Sequence, residues 1–297
     1  MSDKTMSNSS TDNIENIDNI ENIINTINER IVDFRDIVEP PSMDDIFNNF
    51  KLHDKIVACF DGREWNVIRL DYMFNHPIIY YKHWSEKDKT YYDNSLIVCP
   101  ITLRAMIYKG KMNVNDIVLD GYELVLMNTD TGDEFPMSDP YTGHYDSSGN
   151  EKVIKSHVKK HEVKILEHRD MFSFDSDPRY IIGLNDSTIK PIINPDYYNN
   201  KNDVHDNFVG TTFHPKSIVY VMQYYSKTID DYKHQILVPS NISKTDVTGY
   251  KYKKSKIWSY TEKNKETLIE KKAFIYPILW YCVEKLSLSN YTTIIIE

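Results

Sequence analysis

The chain has 297 residues, with 35 Lys and Arg against 44 Asp and Glu, a formal net charge of −9. That length supports a large core, and that balance excludes a protein built mainly to coat nucleic acid, which needs a basic field. With 40% hydrophobic residues, 12% aromatic residues and 9 Gly, the composition is globular and excludes a disordered or collagen-like chain.

Residues 1–12 are polar and read as a disordered tail. The pattern then changes over residues 13–42. Ile17, Ile20, Ile24, Ile27, Ile31, Phe34 and Val38 follow alternating spacings of three and four, an a/d seam ended by Pro40 and Pro41. Isoleucine at both seam positions favours trimers or tetramers, so residues 14–38 are a candidate homo-oligomer contact. The other reading of the same stripe is a helix that packs on its own domain.

Residues 43–150 read as a β-rich domain. Lys55–Phe60 and Trp65–Leu70 flank the tight Asp61-Gly62 turn, a hairpin signal. Leu96–Cys99, Ala105–Tyr108 and Leu124–Met127 are further strands, with turns at Lys109–Lys111 and Asn128–Gly132 and a returning strand from Glu134. Asp139–Asn150 is a polar loop and the candidate boundary.

Residues 151–297 read as an α+β second half packed on the first. Val153–Leu166 is left open between strand and short helix. Arg179–Leu184, Ser217–Tyr224, Gln235–Val238 and Tyr291–Ile296 are expected strands. Thr261–Ser287 is expected to be helical and kinked at Pro277. The expected fold class is α+β: a mostly antiparallel β-sheet body with an N-terminal amphipathic helix and a C-terminal helix.

Within Asp61–Gly132 the order of elements and motifs is distinctive. The Asp-Gly hairpin is followed by His76, then Cys99-Pro100-Ile101-Thr102, then a strand running into Thr131-Gly132. This resembles a prokaryotic domain of unknown function, number 3179, whose members carry a Cys-Pro-Leu-Thr-Gly motif and a strand ending in Thr-Gly. The resemblance covers about residues 46–137 and places His76, Cys99, Pro100, Thr102, Thr131 and Gly132 on the family's marked positions. Where the family has Gly after Thr, this chain has Leu103. The resemblance implies a fold and a pocket, with no settled reaction. Separately, the richness in Asn, Ile, Lys, Asp and Tyr resembles proteins of giant DNA viruses and also those of some A+T-rich protists.

Cys99 with His76 is the sharpest chemical pairing, since an imidazole beside a thiol can lower its pKa or act as base. A buried cysteine used as a small hydrophobe is the competing reading. His157, His161 and His168 cluster with Glu162, but the zincin spacing fails and Lys155, Lys159 and Lys160 surround them, so no metal is expected. The acidic run Asp130, Asp133, Glu134, Asp139 and Asp146 lacks calcium-loop order and reads as turn chemistry. Lys251–Tyr260 interleaves cations with aromatics, as single-strand binders do, but the acidic total favours a lysine-guarded edge strand over nucleic acid. Phosphate-loop, dinucleotide, serine-hydrolase and kinase motifs are absent from the sequence, and no cofactor is expected.

Three scattered cysteines without a CxxC pair, a polar start and an apolar run around Phe274–Cys282 that is too short to span a bilayer imply a reduced, cytoplasmic chain without a membrane span. Two functions follow as expectations. The first is a soluble binding or structural protein, virus-encoded and virion-associated. The alternative is a thiol-dependent enzyme or small-ligand protein using Cys99 and His76.

Overall fold

The computed structural model describes residues 12–34, 41–118, 123–137, 158–159, 163–173, 177–182, 189–192, 214–226, 231–239, 274–285 and 292–296. In chain order these form α1 (Asp12–Glu29), β1 (Val32–Asp33), α2 (Met43–Asn49), β2 (Lys55–Phe60), β3 (Trp65–Arg69), α3 (Leu70–Asn75), β4 (Ile78–Ser85), β5 (Thr90–Val98), β6 (Ala105–Lys109) and β7 (Met112–Val118). They continue with β8 (Glu123–Asn128), β9 (Glu134–Pro136), β10 (Val158–Lys159), β11 (Val163–Glu167), a 3₁₀ turn (His168–Ser173) and β12 (Arg179–Tyr180). Last come β13 (Ile218–Ser226), β14 (Asp231–Pro239), β15 (Phe274–Leu279), α4 (Trp280–Lys285) and β16 (Thr292–Ile296).

The fold is α+β and β-rich, and its sheets are mostly antiparallel. Two sheets come from the first half and are completed by later strands. One has the order β1-β4-β5-β6-β10 and the other β11-β2-β3-β12. The stretch left open around Val153–Leu166 therefore supplies strands. Val163–Glu167 pairs antiparallel with Lys55–Cys59, because Val163 and Ile165 can then bury their side chains beside Val57 and Cys59. A third sheet, β15-β13-β14-β16, and a small meander, β7-β8-β9, complete the body. One cluster of buried residues runs from Ile27 to Val283, so the two halves share a core. His157, His161, Asp139, Asp146 and Lys251–Tyr260 lie outside the described residues.

The N-terminal seam is shorter as a helix than its spacing suggests. α1 ends at Glu29, and Val32 and Asp33 instead pair parallel with Ile79 and Tyr80. Phe34 follows and is buried against Tyr81, with ring centroids 5.9 Å apart. Burial on a sheet edge outweighs the local helical period here. Ile27 is fully buried, and Ile20, Ile23, Ile24 and Ile31 pack on the chain's own core. Asn28 anchors the helix end: its amide donates to the Val114 carbonyl at 2.8 Å and accepts from the Val114 N–H at 2.9 Å. β7 is an edge strand of its meander, so Asn28 stands in for the strand neighbour that Val114 lacks on its outer side.

The expected helix over Thr261–Ser287 is corrected where it is described. Phe274–Leu279 is a strand and only Trp280–Lys285 is helical. Pro277 is tolerated because β15 is an edge strand. Successive N–H groups alternate sides, and the Leu279 N–H points away from β13, to Thr102 O at 2.9 Å. Pro277, two residues earlier, lacks its N–H on that same outer side and so costs the β13 ladder nothing.

A second, smaller core lies on the far face of the β2–β3 sheet: Phe50, Ile56, Ala58, Trp65, Val67 and Met171. His168 is built into its wall, with Nε2 2.9 Å from the Tyr180 hydroxyl and its ring 5.5 Å from that of Phe50. Burial holds this imidazole below its ordinary value, against weaker opposing effects from the Lys51 backbone and Asp54. Such a group contributes stability that is present above pH 6.5 and lost as acid protonates the unfolded chain first. Urea denaturation between about pH 7.5 and pH 5.5 is expected to show a loss that His168→Gln flattens. An unchanged slope would remove His168 from the account.

Gly62 shows how tightly the first hairpin is closed. Its φ is +95°, and an added Cβ would lie 2.1 Å from the Trp84 carbonyl oxygen. That carbonyl belongs to a residue held in place, since the Trp84 N–H donates to Asp61 O at 2.7 Å. Gly62→Ala is expected to cost about 3 kcal/mol in chemical denaturation, from strain and clash together. A loss under about 0.5 kcal/mol, the level of an ordinary surface change, would contradict that geometry.

Candidate functional site at the β5–β6 turn

Strand β5 runs apolar to Val98 and then meets Pro100, which cannot continue the ladder. The chain turns at once: the Leu103 N–H donates to Cys99 O and the Cys99 N–H to Arg104 O, both at 2.9 Å. Leu103 has a φ of +53°, the left-handed region that favours glycine. Its side chain is nonetheless buried, and that burial offsets the backbone cost.

Two segments from the second half close on this turn. Leu279 N–H reaches Thr102 O, and the Tyr281 hydroxyl donates to Ile101 O at 3.1 Å. Pro215 and Ser217 then accept from the Tyr281 and Trp280 N–H groups at 2.9 and 2.8 Å. Those are orphan donors at the start of α4, so His214–Ser217 serves as its cap. The three segments enclose Cys99, Cys282, Arg104, Tyr276 and Tyr281, all nearly inaccessible to solvent. The Arg104 guanidinium lies 4.1 Å from the Tyr276 ring centroid, a stacked cation on an aromatic face.

Cys99 is 1% exposed. Burial pushes its thiol above the ordinary value, although hydrogen bonds from Thr102 and Ile101 and the charge of Arg104 pull the other way. Cys282 is likewise held well above the ordinary thiol value by burial. Both are free thiols, as is the buried Cys59.

His76 sits near by along the backbone. The Val98 N–H donates to Pro77 O at 2.9 Å, so His76 and Cys99 occupy neighbouring strand ends. Their side-chain partners differ. The His76 ring places Nδ1 2.9 Å from the Arg30 carbonyl, which requires the proton on Nδ1, and its N–H closes α3 on Tyr72 O. The imidazole thereby ties the end of α1 to the end of α3.

The other motif positions serve the turn after β8. Asn128 Oδ1 accepts from the Asp130 and Thr131 N–H groups, and the Thr131 hydroxyl donates to Asp133 at 2.9 Å. Gly132 has a φ of +72°, and its N–H donates to Asn128 O. This is a polar turn built from its own side chains. Asp130, Asp133 and Glu134 belong to it, and among the described residues no group of three His, Cys, Asp or Glu is placed to hold a metal.

Arg104, Tyr276 and Tyr281 were not legible as site residues. The one available signal was an arginine between Leu103 and Ala105, at the mouth of an apolar strand. No helix among the described residues is long and apolar enough to cross a membrane. Comparison with protein-family models, with curated proteins and with solved structures finds no match for this chain.

Arg104→Ala would leave a void under Tyr276 and is expected to cost about 3 kcal/mol, whereas Tyr276→Leu should cost about 1–2 kcal/mol. Denaturation midpoints check both. An Arg104→Ala chain as stable as the wild type would mean that the guanidinium is not part of the packed interior.

Proposed function

We propose that this chain is a soluble binding or structural protein whose Cys99 is a packing residue. The observation that carries the reading is the position of that sulfur: 1% exposed, with burial raising its pKa. A nucleophile needs the thiolate and access, and this environment disfavours both. The Asn- and Ile-rich composition supports a virus-encoded chain, and the three free cysteines support a reducing compartment such as the cytoplasm.

The alternative is thiol-dependent chemistry or small-ligand binding at Cys99 with His76. It draws support from the donors around the sulfur, namely Thr102, Ile101 and Arg104. Leu103 gives support to the family resemblance, because left-handed backbone falls where that family has glycine.

Alkylation of the native chain by iodoacetamide against pH, with Cys99 followed by mass spectrometry, separates the two. The expected result is labelling about 100-fold slower than free cysteine, without an inflection below about pH 8.5. Fast labelling with an inflection near pH 7 would overturn the packing role and favour the alternative.

A further inference from the structure

Residues 42–50 read Ser-Met-Asp-Asp-Ile-Phe-Asn-Asn-Phe. Ser42 and Asp45 form a reciprocal capping box that starts α2. The apolar positions Met43, Ile46, Phe47 and Phe50 fall at helical spacing on one stripe. The body covers only part of it. Phe50 is buried and Ile46 partly so against the second core, while Met43 is 62% and Phe47 58% exposed.

Two more large apolar side chains border the same core. Leu52 is 55% and Phe172 67% exposed. Leu52 O accepts from the Arg169 N–H at 2.9 Å, and Phe172 stacks on His168, which stacks on Phe50. Single exposed apolar residues are ordinary on a protein surface. Four around one core make a contact face.

The charges along α2 say what fits it. Asp44 and Asp45 lie in the first turn. Lys51 lies just past the other end, with Nζ 2.9 Å from Phe47 O. A partner of one sign would match one end and be repelled at the other. Asp45 is held in the capping box, which leaves Asp44 as the charge beside the stripe. A second copy with its α2 antiparallel matches both ends, setting Asp44 against Lys51 twice and opposing the helix dipoles. We propose that α2, with Leu52 and Phe172, is a self-association face that pairs two copies of this chain about a two-fold axis. The proposal goes beyond the reading of Cys99 and stands whatever that thiol does.

Sedimentation velocity of the full chain from about 1 to 200 µM tests it, since assembly must follow mass action. The expected wild type shifts from monomer to dimer across that range. Phe47→Ser with Phe172→Ser is expected to stay monomeric with unchanged circular dichroism, because both side chains are exposed. Lys51→Asp should weaken the dimer about fivefold, and adding Asp44→Lys in the same chain should recover it, because the symmetric pairing is then re-formed with reversed signs. A wild type monomeric throughout overturns the proposal and leaves the face to a foreign partner. Association that survives the double phenylalanine change overturns it in favour of the N-terminal isoleucine seam. A charge swap without recovery overturns the antiparallel arrangement.

Discussion

A guanidinium cannot shed its proton, so burying one fixes the structure around it. Arg104 is 2% exposed and lies between the β5–β6 turn and β15. Its charge must be met by an aromatic face and by fixed dipoles, or the desolvation cost would exceed what packing returns. Tyr276 supplies the face, and its strand is tethered to the turn through Leu279 and Thr102. The positions of β15, of the start of α4 and of the His214–Ser217 cap follow from that tether.

The same constraint decides what Cys99 can be. The donors that would stabilise a thiolate surround the sulfur, and the walls that hold them also exclude water. Exclusion has the larger effect. His76, the neighbour that sequence marks as a base, spends its Nδ1 proton on Arg30 and so joins two helix ends. The pair is near in backbone and divided in side-chain partners.

Local chemistry was readable in the sequence where it was self-contained. The Asp61-Gly62 hairpin, Ala105–Tyr108 and the Asn128–Gly132 turn are all present, because each depends on nearby residues. Elements decided by distant partners were misread or passed over. Residues 32–33 carry a helical spacing yet become a strand, since the edge of β4 is waiting for them. Ile78–Ser85 was passed over because His, Trp and Lys interrupt its apolar run, although it pairs with β5 along its whole length. Phe274–Leu279 looked helical because nothing within it reveals that its outer edge needs no donor. The site suffered in the same way: Arg104 and Tyr276 are separated by more than half of the chain, and only the fold makes them neighbours.

Pro277 has a further effect, before the chain folds. An exposed, extended apolar segment can stack into cross-β fibres, and a proline inside it interrupts that stacking. Phe274–Cys282 is such a segment, and Pro277 stands within it. In the folded chain the same residue is buried, on an edge covered by the β5–β6 turn. A residue that looks like a defect in a helix thus works as a guard against fibrillar aggregation of the unfolded chain, at a place where the folded chain loses nothing by it.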